Sequence, residues 1–87
     1  MEMEGIEKFR IDLKLPLLIL RGGKGMLACG YLNIETFDKT GEAAAIVTGV
    51  SDFDDMIAAK VVKVSQPAAD MGLRPGMTGG EALEMLL

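Results

Sequence analysis

Apolar and polar residues roughly alternate from Ile6 to Leu13, which is the period of a half-buried β-strand. Pro16 interrupts this pattern, and the aliphatic run from Leu17 to Leu20 predicts a fully buried second strand. The segment Arg21-Gly22-Gly23-Lys24 predicts a type I′ hairpin turn, because paired glycines readily adopt the positive φ that this turn requires. A third strand is predicted over residues 25–30, so that residues 6–30 form an antiparallel meander.

Capping residues and apolar spacing predict two short helices in the middle of the chain. The first covers residues 34–39, with Asn33 as its N-cap and Gly41 at its end. The second follows an N-cap at Ser51, with Asp54 at the third helical position as in a capping box.

Two further helices are predicted near the end of the chain. A single turn is opened by Pro67 after a cap at Ser65 or Gln66. The last helix covers residues 81–87 and follows the capping box Thr78-Gly79-Gly80-Glu81.

Apolar segments at residues 43–47 and 60–64 predict two more strands, which gives the element order β-β-β-α-β-α-β-α-α. Strand–helix–strand units normally form right-handed crossovers between parallel strands. We therefore expect an α+β fold, a two-layer α/β sandwich in which helices cover one face of a mixed sheet of about five strands.

The residue types that are missing exclude several classes of function. The chain has 87 residues, no His, one Cys and a net charge of −4, without a run of basic residues. Nucleic-acid and anionic-membrane surfaces need clustered Lys and Arg, so neither partner is expected. Catalytic pairs that use His and structural zinc sites made of four Cys or His residues cannot be built from one chain.

The sequence also predicts the domain organisation, the location and the oligomeric state of the protein. Residues 1–5 are expected to be disordered, and residues 6–87 to form a single domain. The acidic start Met1-Glu2-Met3-Glu4 does not match a signal peptide, and no apolar run approaches the length of a membrane span, so a cytoplasmic location is expected. A domain this small has little core to offset its chain entropy, and burial between subunits would supply the difference. We therefore expect a homo-oligomer.

Several strings of residues resemble the YunC-like family, a small domain of unknown function in bacteria and archaea. They are Cys29-Gly30-Tyr31-Leu32-Asn33, the segment from Ala43 to Val50, Asp54-Asp55-Met56, and Gly76 to Leu83. The resemblance covers roughly Leu17 to Leu87 and implies an α–β two-layer fold. It also implies that the β-rich N-terminal region, residues 6–30, serves in tetramer assembly. It brings no activity, substrate or catalytic residue.

A candidate binding site lies where three predicted strands end before helices. The carboxyl ends of parallel strands meet at one edge of a sheet, and ligands favour that edge. The amide groups at helix N-termini there favour anions. The candidate ligand-binding residues are Cys29, Gly30, Tyr31, Asn33, Thr48, Gly49, Ser51 and Ser65. Helix capping alone is a sufficient alternative explanation for Asn33, Ser51 and Ser65.

Other chemical groups in the sequence have ordinary structural explanations. Cys29 follows an apolar segment and has no His as a base, so a buried, inert thiol is the competing explanation to a nucleophile. Asp52, Asp54 and Asp55 suit the first turn of a helix and do not have the spacing of a calcium loop, so no metal is predicted. Arg21-Gly22-Gly23-Lys24-Gly25 does not match a phosphate-binding loop.

The sequence supports two functional hypotheses. The first is a homo-oligomer, a tetramer formed through the N-terminal strands, that binds a small molecule at the strand ends or acts as an assembly module. The alternative is an enzyme with a site at Cys29 or at a subunit interface. No catalytic residue and no cofactor are assigned.

Overall fold

The computed structural model describes residues 5–87. The predicted disordered start falls mainly on residues 1–4, which lie outside the described residues. Five strands form one sheet in the order β1-β2-β3-β4-β5. The strands are β1 (Glu7–Asp12), β2 (Pro16–Arg21), β3 (Gly25–Ala28), β4 (Ala43–Ile46) and β5 (Lys63–Val64).

Four helices connect and follow these strands in the predicted order. They are α1 (Ile34–Thr40), α2 (Phe53–Ala58), α3 (Gln66–Asp70) and α4 (Gly79–Met85). The prediction of an α+β fold with a mixed five-stranded sheet is confirmed. Among residues 5–87, no helix combines the length and the apolar character that crossing a membrane requires.

Only one of the two predicted parallel crossovers is present. β3 and β4 are parallel, as expected, with α1 between them. β4 and β5 are antiparallel, so the expectation of three strands running in one direction is wrong. After α2, Lys60 pairs with Thr78, and the N–H of Val62 donates to the carbonyl of Ile46. These bonds hold the chain at the carboxyl end of β4, and β5 therefore runs back along that strand.

The core lies between one face of the sheet and the helices α2, α3 and α4. Leu18 and Leu20 of β2 and Leu27 of β3 are fully buried there. The helical side contributes Met56, Ala68, Ala82, Leu83 and Leu86, all of them buried.

The alternation in β1 is present, but its apolar half faces away from this core. Every residue of β1 is exposed, so the prediction of a half-buried strand is wrong. Phe9 and Ile11 lie opposite Ile19 and Leu17, which are only half-buried, so the prediction of a fully buried β2 is also wrong. The ammonium group of Lys8, on the other face of β1, lies 6.0 Å from the ring centroid of Phe53 in α2. Lys8, Arg10 and Asp12 alternate with Phe9 and Ile11, whose side chains stay exposed on the other face of this edge strand. On that face the guanidinium of Arg21 lies 5.3 Å from the ring centroid of Phe9.

The turn between β2 and β3 needs glycine for a reason that the sequence did not reveal. Neither Gly22 nor Gly23 has a positive φ, so the predicted type I′ turn is wrong. A Cβ on Gly22 would overlap the backbone carbonyl of Leu86, and the N–H of Lys24 donates to that carbonyl at 2.8 Å. Gly22 is therefore required for the close approach of the turn to the end of α4.

Three of the predicted N-caps, Asn33, Ser65 and Thr78, are present, and one is displaced. The Asn33 side chain accepts from the N–H of Glu35, and Gly41 ends α1 in the left-handed conformation. Thr78 and Glu81 form the predicted capping box, although α4 begins at Gly79 rather than at residue 81. The N-cap of α2 is Asp52, whose carboxylate accepts from the N–H of Asp55, so the prediction of Ser51 as the cap is wrong.

The capping box also perturbs the acidity of Glu81. The backbone N–H and the hydroxyl of Thr78 both donate to this carboxylate at 3.0 Å. These two hydrogen bonds favour the charged form and lower the pKa of Glu81 below its ordinary value. The hydrogen bond from the backbone N–H has the larger effect.

Candidate functional site

A cleft of about 480 Å³ opens at the carboxyl ends of β3 and β4. The residues after these strands form two of its walls, and the loop between β1 and β2 forms a third. Among the described residues, those lining the cleft are Leu15, Pro16, Cys29, Gly30, Tyr31, Thr48, Gly49, Val50 and Ser51.

The parallel pairing of β3 and β4 brings the two main walls together. The register places Ala28 beside Ile46, and the N–H of Val47 donates to the carbonyl of Ala28 at 2.9 Å. Both chains therefore leave the sheet at the same edge. A Cβ on Gly30 would lie 3.3 Å from the Cγ2 atom of Thr48, so little space separates the two walls at this point.

Six of the eight candidate residues predicted from the sequence line this cleft. They are Cys29, Gly30, Tyr31, Thr48, Gly49 and Ser51. Asn33 is not among them, because its side chain caps α1 and it lines a neighbouring depression with Ile34 and Lys63.

Ser65 lies near the start of β4, at the end of the strands opposite to the cleft, so its predicted place in the shared cleft is wrong. The reason is the antiparallel direction of β5, which carries Ser65 toward the start of β4. Its hydroxyl accepts from the N–H of Ala44 at 2.9 Å and donates to the carbonyl of Glu42 at 2.8 Å. Ser65 is fully buried and also caps α3, so its role is structural.

The Cys29 thiol is part of the core. Its side chain is 3% exposed, and its Sγ atom accepts a hydrogen bond from the N–H of Leu18 at 3.3 Å. Because a reactive cysteine needs access and a group that stabilises the thiolate, this environment favours an inert thiol. The sequence contains no His that could act as a base.

The acidic residues at the start of α2 are engaged by backbone amides. Asp52 accepts from the N–H of Asp55 at 2.7 Å, and Asp55 accepts from the N–H of Ser51 at 2.9 Å. Within the part of the chain that the structure describes, no three acidic or Cys side chains come together as a metal-binding group. Helix capping accounts for both of these carboxylates.

Sequence reasoning missed the wall that the loop between β1 and β2 supplies. Leu15 and Pro16 form this wall, and the N–H of Leu15 donates to the Tyr31 hydroxyl oxygen at 3.3 Å. The contact joins residues sixteen positions apart, and no local spacing pattern could predict it. Val50, in the wall after β4, was also missed.

The cleft combines apolar surface with hydroxyl groups and has no charged side chain among its described lining residues. Leu15, Pro16 and Val50 supply apolar contact area. Tyr31 and Thr48 are exposed and carry hydroxyl groups that donate and accept hydrogen bonds. This arrangement can bind a molecule, but it offers no evident nucleophile or general base.

Comparison with known proteins assigns the chain to a family. A family model described as "Domain of unknown function (DUF1805)" matches residues 28–86. The chain belongs to this family. The DUF1805 match covers both main walls of the cleft and ends at the last residue but one.

Two relatives extend the similarity of this DUF1805 protein to the N-terminal hairpin. The chain is 30% identical over 88 residues to "Uncharacterized protein YunC" of Bacillus subtilis (strain 168), covering 93% of this chain and 87% of that protein. It is 36% identical to a protein of unknown function, TA1206 from Thermoplasma acidophilum, whose crystal structure matches with a TM-score of 0.83. That match covers 94% of this chain and 93% of the other. The predicted YunC-like resemblance is confirmed.

Proposed function

We propose that the protein is a homo-oligomer that binds a small uncharged molecule in the cleft between the ends of β3 and β4. The observation that carries the proposal is the convergence of hydroxyl-bearing residues from two parallel strand ends on one cleft. The carboxyl ends of parallel strands are a favoured ligand position. A cleft of about 480 Å³ also has the size of ordinary small-molecule sites, roughly 300 to 1,000 Å³.

The chemistry of the lining indicates the class of ligand. A charged ligand that leaves water needs an opposite charge or several hydrogen bonds as compensation. The described lining residues supply hydroxyl groups and apolar surface instead. A neutral molecule with an apolar part and at least one hydroxyl or amide group fits these groups.

A matched set of probes tests this class. Benzyl alcohol, benzoate and benzylammonium have the same ring and differ in charge. In amide NMR titrations we expect benzyl alcohol to shift the signals of Gly30, Thr48 and Gly49 more strongly than either ion. Larger shifts at these amides with benzoate than with benzyl alcohol would contradict a neutral ligand. If none of the three probes shifts these signals, the cleft is not a binding site for molecules of this class.

The hydroxyl group of Thr48 provides the matched variant. We expect Thr48→Val to weaken benzyl alcohol binding about fivefold, since one neutral hydrogen bond contributes about 1 kcal/mol. Thr36→Val makes the same change at an exposed position of α1, outside the cleft lining, and should leave the affinity unchanged.

The assembly part of the proposal rests on a surface that we call the apolar strip, which is formed by Phe9, Ile11, Leu13 and Leu15. These side chains are 39%, 54%, 50% and 68% exposed, and they are four of the seven large hydrophobic residues exposed in the described chain. Alternating strands normally turn their apolar residues toward a buried face. In β1 the apolar side chains of that face remain exposed, although the Arg21 guanidinium lies 5.3 Å from the Phe9 ring centroid, and this exposure supports a protein partner there.

The proposed partner is a second copy of this chain. β1 is an edge strand, and edge strands pair readily with other strands. If two copies pair antiparallel with Ile11 opposite Ile11, then Arg10 of each copy lies opposite Asp12 of the other. The same register places Phe9 opposite Leu13 and Lys8 opposite Lys14. The Arg10–Asp12 pairs and the apolar pairs favour this register, whereas the two Lys8–Lys14 pairs toward its ends oppose it. Family resemblance gives the tetramer as the expected final state.

The assembly is tested by placing a charge in the centre of the apolar strip. Ile11→Glu is expected to convert the oligomer into a monomer at micromolar concentration, because two carboxylates would meet at the pairing axis. Light scattering after size-exclusion chromatography measures the mass. Val62→Glu makes the same kind of change at a comparable exposed residue, 47% accessible, and should keep the wild-type mass. A wild-type monomer would contradict the proposed assembly.

A further inference from the structure

We infer that Tyr31 selects the ligand of the cleft by donating a hydrogen bond to it, so that the bound molecule carries a carbonyl group flanked by apolar groups. This inference rests on the proposed binding function and deepens it. It narrows a neutral ligand with a polar group to a ketone, an ester or an amide. Its basis is the direction of one hydrogen bond at the wall that the loop between β1 and β2 supplies.

The hydroxyl oxygen of Tyr31 already serves as an acceptor within the chain. A phenolic hydroxyl group has one proton to donate, and its oxygen can also accept. The oxygen of Tyr31 accepts from the N–H of Leu15 at 3.3 Å. Because an amide N–H can only donate, the proton of Tyr31 cannot serve this contact. Within residues 5–87 the structure gives that proton no acceptor, so it is left for water or for a ligand.

The same hydroxyl group is the donor that remains at the loop wall. Leu15 and Pro16 form this wall, and proline has no amide N–H. The N–H of Leu15 is used by Tyr31. A ligand that approaches this side of the cleft therefore meets the proton of Tyr31 as the available polar hydrogen of the described wall.

The surroundings of the hydroxyl group indicate which acceptor fits. Tyr31 lines the cleft and is 46% exposed, so a ligand can reach it. Leu15 and Pro16 supply apolar surface beside the hydroxyl group. A carbonyl oxygen accepts the proton, and its carbon substituents can pack on that surface. A ligand that covers the hydroxyl group without accepting its proton leaves a polar group unpaired, which weakens binding.

The other hydroxyl groups of the cleft do not restrict the ligand in this way. Thr48 and Ser51 are exposed, and a hydroxyl group that rotates freely can donate or accept. Tyr31 is thus the residue that sets the polarity of the site.

A pair of probes with the same carbon skeleton tests the requirement for an acceptor. Acetophenone has a carbonyl group and no polar hydrogen, and ethylbenzene has a methylene group in its place. In amide NMR titrations that follow Gly30, Thr48 and Gly49, we expect Tyr31→Phe to weaken acetophenone binding about fivefold, as the loss of one neutral hydrogen bond does. The affinity for ethylbenzene should stay unchanged. Thr36→Val removes a hydroxyl group outside the cleft lining and should change neither affinity.

A second measurement uses the wild-type protein alone. The chain contains one Tyr, so a ¹³C label at the Cζ atom of tyrosine gives one signal. This carbon carries the hydroxyl group, and its chemical shift responds when that group donates a hydrogen bond. At equal occupancy of the cleft, acetophenone should move the signal further than ethylbenzene does. Equal movements would overturn the inference.

The remaining outcomes separate this inference from the proposed function. An acetophenone affinity that is the same in wild type and Tyr31→Phe overturns the inference and leaves the cleft as a binding site. Equal weakening of both probes also overturns it, because Tyr31 would then shape the wall rather than donate. So does a cleft that binds benzyl alcohol but not acetophenone. If none of these three probes shifts the cleft amides, the proposed binding function fails, and this inference fails with it.

Discussion

Gly79→Ala is expected to destabilise the protein by about 3 kcal/mol, because a Cβ at this position has no space. Gly79 opens α4 against the end of α2, and its N–H donates to the carbonyl of Ala59 at 2.7 Å. A Cβ would overlap the backbone carbonyl of Met56 and lie 3.1 Å from the Cδ2 atom of Leu27. The better helix propensity of Ala, about 1 kcal/mol, does not offset an overlap with backbone.

The loss is large relative to the whole stability of a domain of 87 residues, roughly 4 to 13 kcal/mol. Urea unfolding followed by circular dichroism, at one fixed protein concentration, measures it. Gly23→Ala is the control, since its Cβ would meet its nearest atom at an ordinary 3.7 Å. We expect that variant to stay within about 0.5 kcal/mol of wild type. Equal stabilities for the two variants would disprove the close approach of α2 and α4.

Ser65→Ala is expected to cost about 2 to 4 kcal/mol, since one buried hydroxyl serves several backbone groups. The change leaves the N–H of Ala44 without its partner inside the sheet and removes the cap of α3. It also removes the hydrogen bond to the carbonyl of Glu42. Each buried group left without a partner costs about 1 to 3 kcal/mol, and a lost cap about 1 kcal/mol.

Ser51→Ala is the matched control, and it separates stability from binding. Ser51 is exposed at the cleft, and the hydrogen bond to Asp55 comes from its backbone. We expect a stability change within about 0.5 kcal/mol and weaker benzyl alcohol binding. Ser65→Ala should show the reverse, with normal binding and a lower urea midpoint. Weakened binding in Ser65→Ala at a temperature where it is folded would place Ser65 in the site after all.

The elements of this fold were predictable because their signals are local. Asn33, Thr78 and Glu81 act within one helical turn of their own position, so their caps can be read directly from the sequence. The displaced cap of α2 shows the limit of such signals, since Ser51 and Asp52 are adjacent and both are good caps. Local patterns therefore fix the kind of element better than its boundary.

Only the part of the cleft formed by the ends of β3 and β4 was predictable from the sequence. The crossover from β3 through α1 to β4 is parallel, which brings Gly30 and Thr48 to the same cleft. The third strand end was assigned by the same rule and is wrong, because the N–H of Val62 donates to the carbonyl of Ile46 at the carboxyl end of β4, and β5 then runs back toward the start of that strand. The wall formed by the loop between β1 and β2 depends on a contact of Leu15 with Tyr31, and local spacing does not encode that contact.

By itself, the sequence determined the element order, most of the caps, the alternation of β1 and the absence of His chemistry. Only the tertiary structure decided that Ser51 borders the cleft while Ser65 is buried, although both were predicted as N-caps from the same kind of pattern. It also decided that the apolar residues of β1 face away from the core. Capping and alternation depend on neighbours along the chain, whereas strand direction and the covered face depend on contacts between distant segments.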